Sequence, residues 1–405
     1  MHILLADKLH PAAIEAFRSL PGARVSNRPE LGPDDLPQNL GDVDVLVVRS
    51  TKVTRAALEA APGLGLVIRA GSGVNTIDVA AASERGIYVA NCPGKNSAAV
   101  AELAVGLLLA LDRRIADNVH DLRQGKWNKK EYGKAQGLRG KTIGLVGTGL
   151  IGQLVIQRLK GFEVKIMAVD PILTPEKAEA LGIELCTDRL ELARRCDVVS
   201  VHVPLLPATR GLVGAEFFAA MKPGAILLNT SRAEVVDNDA LLKAMEEKGL
   251  RAGLDVFPSE PSAGQADYDH PLAKHPKCYG THHIGASTDE AEFSTGMDAV
   301  RLAEAFMKGE PIPNCVNLRK APKGVHALVV RHEDRVGVLA SVFSVLKSAG
   351  LNVQEMENQV FDGAKAASAR IVLDSPVPGE VVKTLTGCEG VLHVGATGPA
   401  ELVKA

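Results

Sequence analysis

The chain lacks the cysteine pattern of a disulfide framework or a zinc site. Its six cysteines (Cys92, Cys186, Cys196, Cys278, Cys315 and Cys388) are scattered, and no two form C-x-x-C. They read as reduced thiols of a cytoplasmic protein. A charge imbalance is also missing. The formal net charge is −2, which gives no reason to expect nucleic acid or an anionic membrane surface as a partner. No apolar run is long enough to span a bilayer: the longest, Ala98 to Leu111, is interrupted by Glu102 and reads as a buried helix. The first residues, Met1-His2-Ile3-Leu4-Leu5-Ala6-Asp7, meet an acid too early for a signal peptide. The hydrophobic content of 46% over 405 residues fits a globular protein of two or three domains.

The most specific local pattern lies mid-chain. Gly147, Gly149 and Gly152 fit G-x-G-x-x-G, between an apolar strand (142–146) and a helical run (150–160). A second strand, 164–169, delivers Asp170 eighteen residues after Gly152. Gly147 permits the tight turn, Gly149 lets backbone approach a pyrophosphate, and Gly152 lets helix and strand pack closely. The N–H groups of the helix start at Leu150 and Ile151 face the phosphates. Asp170 can accept hydrogen bonds from a ribose 2′-OH and repels a 2′-phosphate, so the expected cofactor is NAD rather than NADP.

Residues 1–90 alternate short strands (3–6, 43–48, 66–68, 87–90) with helices (11–20, 55–61, 79–85). The same grammar recurs from 142 to 285, with strands at 142–146, 164–169, 198–203, 225–229 and 251–256. Two doubly wound parallel-sheet domains follow, and ligands bind beyond the carboxyl ends of their strands. A helix at 287–308 and a linker marked by Pro313 and Pro322 lead to a βαββαβ tail, the pattern of a small ferredoxin-like α+β domain.

Oxidising a hydroxy acid requires a cation for the carboxylate, a base for the hydroxyl proton and a group that tunes the base. Arg232, after the strand ending at Asn229, suits the first task. His283 suits the second, because an imidazole exchanges protons near neutral pH. Glu260 can pair with that imidazole. Each alone has a mundane reading, as a surface arginine, a structural histidine or a solvated glutamate.

Together with the glycine fingerprint, Arg232, Glu260 and His283 resemble the D-isomer-specific 2-hydroxyacid dehydrogenases. Val48-Arg49-Ser50-Thr51, Arg69-Ala70-Gly71-Ser72-Gly73-Val74, Gly125-Lys126-Trp127-Asn128-Lys129 and His283-Ile284-Gly285-Ala286-Ser287-Thr288 carry the same resemblance. It implies a discontinuous substrate domain (1–95 and 284–318) with an inserted NAD-binding Rossmann domain (96–283). By that resemblance His283 is the acid/base, Glu260 its partner and Arg232 the carboxylate clamp. His202, Val203 and Pro204 line the adenine side, and Thr230 and Ser231 run along the dinucleotide. Asp255 binds the nicotinamide end, where Ser72, Arg232, His283, Gly285 and Ala286 also touch the cofactor. Two positions depart from the family pattern. His282 replaces a usual proline, which leaves a second histidine beside the presumed base, and Ala233 replaces a usual glycine.

The expected substrate is a phosphorylated 2-hydroxy acid, 3-phosphoglycerate. Arg49 matches a phosphate-binding arginine, with Ser50 beside it. Ser72, Gly73 and Val74 offer N–H groups to the carboxylate and Asn91 adds a polar contact, and the resemblance implies that Lys129 reaches a neighbouring subunit's site. By the same resemblance Trp127 belongs to a dimer contact, so a homo-oligomer, dimer or tetramer, is expected. The rival readings are glycerate, glyoxylate or 2-hydroxyglutarate as substrate, or a nucleotide-sensing corepressor or scaffold on the same fold. The tail (325–405) resembles an ACT domain, a module that pairs and binds amino acids in the seam. His332, Asp334 and Asn352 match effector positions for serine, with Asp334 where an asparagine is usual and Val336 where a proline is usual.

Overall fold

The computed structural model describes residues 1–261, 265–319 and 326–397. The chain forms two compact units, Met1–Asn317 and Leu318–Ala405.

The first unit opens with five parallel strands: β1 (His2–Leu5), β2 (Arg24–Asn27), β3 (Val45–Val48), β4 (Leu66–Arg69) and β5 (Tyr88–Asn91), in spatial order β2-β1-β3-β4-β5. β1 and β3 are buried along their whole length, as strands covered on both faces by helices must be. The order reverses between β1 and β3. Asp7, just beyond β1, and Arg49, just beyond β3, therefore flank a switch point, where crossover connections diverge and leave a crevice.

Seven further parallel strands form the second sheet: β6 (Thr142–Val146), β7 (Lys165–Val169), β8 (Glu184–Leu185), β9 (Val198–Val201), β10 (Ile226–Asn229), β11 (Arg251–Leu254) and β12 (Cys278–Gly280). Their order is β12-β11-β10-β9-β6-β7-β8, a doubly wound sheet whose switch point lies between β6 and β9. The 17-residue helix Ser97–Arg113 packs Ala101, Ala104, Leu108 and Leu111 against Leu145 and Leu228 of this sheet.

After β12 the chain returns to the first sheet. The helix Asp289–Met307 buries Ala299, Val300, Leu302 and Ala303 among Ile3, Leu5, Phe17 and Ile68. The fit is close: a Cβ on Gly296 would lie 2.5 Å from that of Ala13. Val316 then donates its N–H to the Val89 carbonyl at the edge of β5. The fold is therefore the expected one, with the Rossmann-type sheet inserted between two segments that build the first sheet and its cover.

The second unit contains β13 (His326–Glu333), β14 (Val353–Val360), β15 (Ala366–Leu373) and β16 (Val391–Thr397), with helices Val338–Ser348 and Gly379–Thr386. The antiparallel order β14-β15-β13-β16 with two helices is the βαββαβ arrangement. Pro322, Val325 and residues 398–405, included in the linker and tail expectations, lie outside the described residues.

Three strands escape the sequence reading, namely β2, β8 and β12. All three are sheet edges. An edge strand needs backbone pairing on one side only, so β2 (Arg-Val-Ser-Asn) is never fully buried and shows no apolar run.

Candidate active site

The glycine turn after β6 is shaped as the fingerprint requires. Gly147 has φ +98°, and a Cβ there would lie 2.9 Å from the His202 carbonyl. A Cβ on Gly152 would lie 2.4 Å from the Gly147 carbonyl oxygen, so the helix sits directly on the turn. Beside Gly149 there is open space, with nothing within 4 Å of where a Cβ would be. Leu150, at the helix start, is exposed and Ile151 half-buried.

Asp170 follows β7. Its Oδ2 accepts from the Thr148 N–H (2.7 Å) and hydroxyl (3.0 Å), and its Oδ1 accepts from the Ile172 N–H. The carboxylate is thus fixed beside the turn. His202 is buried, with Nε2 2.7 Å from the Ser200 hydroxyl, and burial pushes its imidazole down to about 4, so it stays neutral. Val203 is half-buried and Pro204 exposed. Ile172 and Leu206 are large apolar side chains left exposed after β7 and β9, the strands on either side of β6. Sequence reading missed both.

Asn229 organises the loop after β10. Its Oδ1 accepts from the Ser231 N–H and hydroxyl, and its Nδ2 donates to the Arg232 carbonyl. The Thr230 hydroxyl and His202 Nδ1 are buried without a partner. Buried polar atoms left in this state carry a desolvation cost that a bound ligand can relieve. Open space at Gly149 and these orphaned atoms fit a dinucleotide lying along the carboxyl edge of the sheet.

The three chemical residues come together beyond this edge. His283 Nδ1–H donates to Glu260 Oε2 at 2.6 Å, while Glu260 Oε1 accepts from the Phe257 N–H. An ionised carboxylate only accepts, so this pairing places the proton on Nδ1 and leaves Nε2 free for proton exchange. Burial raises the Glu260 carboxyl, but the hydrogen bonds from His283 and Phe257 outweigh it, helped by the charges of His283 and Arg232, and the net position is below the ordinary glutamate value. Both partners sit on or beside left-handed backbone, at His283 (φ +53°) and Ser259 (φ +55°). Non-glycine residues seldom adopt this conformation, and it clusters at functional sites. His282 is exposed and has no recorded contact with Glu260.

Asp255 is the anchor of the histidine loop. It is 1% exposed. Its Oδ1 accepts from the Thr281 hydroxyl (2.6 Å) and Ile284 N–H (2.9 Å), and its Oδ2 from the Gly285 N–H (2.8 Å). Both oxygens are thus committed to holding His283 in place.

The first sheet supplies the opposing wall. Arg232 lies over Gly73, where a Cβ would be 2.7 Å from the guanidinium. Ser72 donates to Asn96, and Asn91 donates to the Ser72 carbonyl, which fixes the 72–74 backbone; Val74 is half-buried. Asp7 Oδ2 accepts the N–H groups of Arg49, Ser50 and Thr51 at 2.6–2.9 Å and shapes that loop. Arg49 and Ala286 line one small cleft.

Sequence reading also missed a role for Arg69, at the end of β4. Burial and the charges of Arg232 and Arg49 lower its guanidinium to about 10, and its Nε is buried without a partner. Arg49 and Arg69 stand at the ends of the neighbouring strands β3 and β4, and Arg232 lies over Gly73 just beyond β4, so three arginines converge beyond these strand ends, an arrangement that favours an anionic ligand. Its place at a strand end, like that of Arg49, was the available signal.

Lys129 is exposed on the short helix Lys129–Tyr132, and no recorded contact ties it to Arg49 or Arg232. In the second unit, His332 and Asp334 lie at one end of the sheet. Val353, next to Asn352, pairs with Leu373 at the other end. One chain does not unite the three. His332 is moreover buried, its ring nitrogens facing the Glu333 carbonyl and Asn358.

Comparison with known proteins agrees with this geometry. The profile of the D-isomer specific 2-hydroxyacid dehydrogenase NAD binding domain matches residues 105–285. The NAD-dependent formate dehydrogenase of Staphylococcus aureus, solved in complex with NAD, is 32% identical; the match covers 77% of this chain and 97% of that one, with TM-score 0.67. This chain belongs to the D-isomer-specific 2-hydroxyacid dehydrogenase family. Within the family it is 42% identical over 323 residues to the D-3-phosphoglycerate dehydrogenase of Methanocaldococcus jannaschii, a match covering 79% of this chain and 60% of that relative. The chain thus spans about three fifths of the curated relative's length. The NAD-bound 3-phosphoglycerate dehydrogenase of Entamoeba histolytica is 26% identical, with TM-score 0.66 over 79% of this chain and 99% of that one. The cofactor of this family member is NAD.

Proposed function

We propose that the protein oxidises 3-phosphoglycerate at C2 to 3-phosphohydroxypyruvate, the first step of serine biosynthesis. The observation that carries this reading is the Glu260–His283 pair next to Arg232, with Arg49 and Arg69 at the ends of two neighbouring strands. One group of residues suits proton transfer and the other suits an anion.

Arg232 and the backbone N–H groups of 72–74 hold the substrate carboxylate and polarise the forming carbonyl. His283 Nε2 takes the C2 hydroxyl proton, and Glu260 stabilises the resulting imidazolium. Bound NAD supplies the two-electron acceptor. Gly147, Gly149, Gly152, Leu150 and Ile151 hold its pyrophosphate, and Asp170 its adenosine ribose. Val203 and Pro204, with the backbone of His202, border the adenine. Thr230 and Ser231 run along the dinucleotide; Ser72, Asp255, Gly285 and Ala286 frame its nicotinamide end. Arg49, Ser50 and Asn91 lie on the phosphate side, with Lys129 reaching a second copy.

The substrate domain comprises 1–95 and 284–318 and the cofactor domain 96–283. A homo-oligomer fits the exposed stripe Ile115, Val119, Leu122 and Trp127, and we place the protein in the cytoplasm. Pairing of tail units brings His332 and Asp334 of one copy toward Asn352 of another as a serine site.

NADH absorbance on purified protein tests the reading. Turnover is expected with 3-phosphoglycerate plus NAD, and with 3-phosphohydroxypyruvate plus NADH. Activity confined to glyoxylate, glycerate or 2-hydroxyglutarate would refute the phosphate assignment.

A further inference from the structure

Arg49, the cation assigned to the phosphate, already holds an anion. Its Nη1 donates to Glu292 Oε1 at 2.8 Å. The pair joins the end of β3 to the helix Asp289–Met307, and the two side chains are 28% and 31% exposed. Both line the small cleft that also includes Lys8, His10 and Ala286. His10 too faces a carboxylate: its Nε2 lies 3.4 Å from Asp289, while its Nδ1 accepts the Ala12 N–H.

Acidic residues at a helix start normally serve the helix dipole. Asp289, Glu290 and Glu292 all stand in the first turn, and Thr288 accepts the N–H of Ala291 as the cap. Glu292 also reaches across to another element. Its target sits on a loop that Asp7 fixes through three backbone N–H groups, so the loop has little freedom to withdraw Arg49. A dianionic phosphate arriving at Arg49 meets Glu292 first. It must displace that carboxylate or bind beside it against like-charge repulsion.

We infer that Glu292 is a specificity-determining residue: its carboxylate is an internal competitor for the anionic end of the substrate at Arg49. The inference rests on the reading of a phosphorylated substrate given above. Glu292 neutralises one of three converging arginines and so lowers affinity for a dianion. It penalises a singly charged or uncharged substrate end less.

Glu292→Gln in the full chain tests this, because glutamine keeps the shape and an oxygen for Arg49 but removes the charge. Two readouts are taken: the KM for 3-phosphoglycerate and, by calorimetry, the Kd of inorganic phosphate. Both are expected to fall by roughly three- to tenfold, the scale for a charge pair only partly screened by water. In an Arg49→Gln background the same substitution is expected to change neither. Unchanged or weaker phosphate binding in E292Q overturns the inference and leaves Glu292 as a brace for Arg49. So does a failure of both proteins to bind phosphate. Tighter phosphate binding in E292Q, with no turnover of 3-phosphoglycerate by the unsubstituted chain, upholds the competitor role and refutes the substrate instead.

Discussion

At the scale of single residues, the site depends on one short hydrogen bond. The 2.6 Å contact between His283 Nδ1 and Glu260 orients the ring and sets its tautomer. His283→Ala should lower kcat by about 10²–10⁴, the usual contribution of a positioned acid/base. NAD affinity by fluorescence titration should stay within about twofold, and His282→Ala should retain kcat. The reverse pattern would move the base to His282. Glu260 also gives a pH signature. Its folded-state pKa lies below the ordinary 4.5, so its contribution to stability is present above that value and fades as pH falls through the folded value. Thermal unfolding should therefore show Glu260→Gln less stable than the unsubstituted chain at neutral pH, with the gap closing as pH falls below the ordinary glutamate range. A pH-independent gap would mean the charge of Glu260 is not what matters. The pairing of Glu260 with His283 was legible in the sequence through the resemblance and through their place in loops after strands. The supporting residues Asp7, Asn229 and Glu292 were not, since their roles depend on backbone N–H groups and side chains distant in sequence.

At the scale of elements, most strands could be read from apolar runs and the missed strands lie at sheet edges, whereas helices such as Ile115–Arg123, Arg189–Arg195 and Asn238–Glu247 were not singled out. β8 has two residues and β12 three, and both lie at the rim of the seven-stranded sheet. The return of the helix Asp289–Met307 to the first sheet could not be read from periodicity, because an amphipathic pattern does not name its partner; family resemblance supplied it. The glycine turn gives the sharpest test at this scale. With a Cβ 2.4 Å from the Gly147 carbonyl, Gly152→Ala must push the helix off the turn. An overpacking cost of about 1–3 kcal/mol is expected in denaturant unfolding, together with a marked rise in the NAD Kd. An alanine variant with native NAD affinity would show that the turn does not need this close approach.

At the scale of the whole molecule, the two compact units divide the work. The proposed catalytic and cofactor residues lie in residues 1–317, while the ferredoxin-like unit carries the proposed effector positions. Their separation to opposite ends of one sheet makes the serine response a test of pairing. If paired units bind serine, added serine should slow turnover of the full chain, and Asn352→Ala should abolish the effect. A full chain indifferent to serine would assign the unit to assembly or to another ligand. The signal in the sequence was Asp334, which stands where an asparagine is usual.

The central claim is that Arg49 and its neighbouring arginines select a phosphorylated hydroxy acid. The most direct measurement is kcat/KM for 3-phosphoglycerate against glycerate in the unsubstituted chain and in Arg49→Gln. A strong preference for 3-phosphoglycerate is expected, which Arg49→Gln reduces by at least about tenfold through KM, with glycerate little changed. Equal losses on both substrates, or a preference for glycerate from the outset, would contradict it.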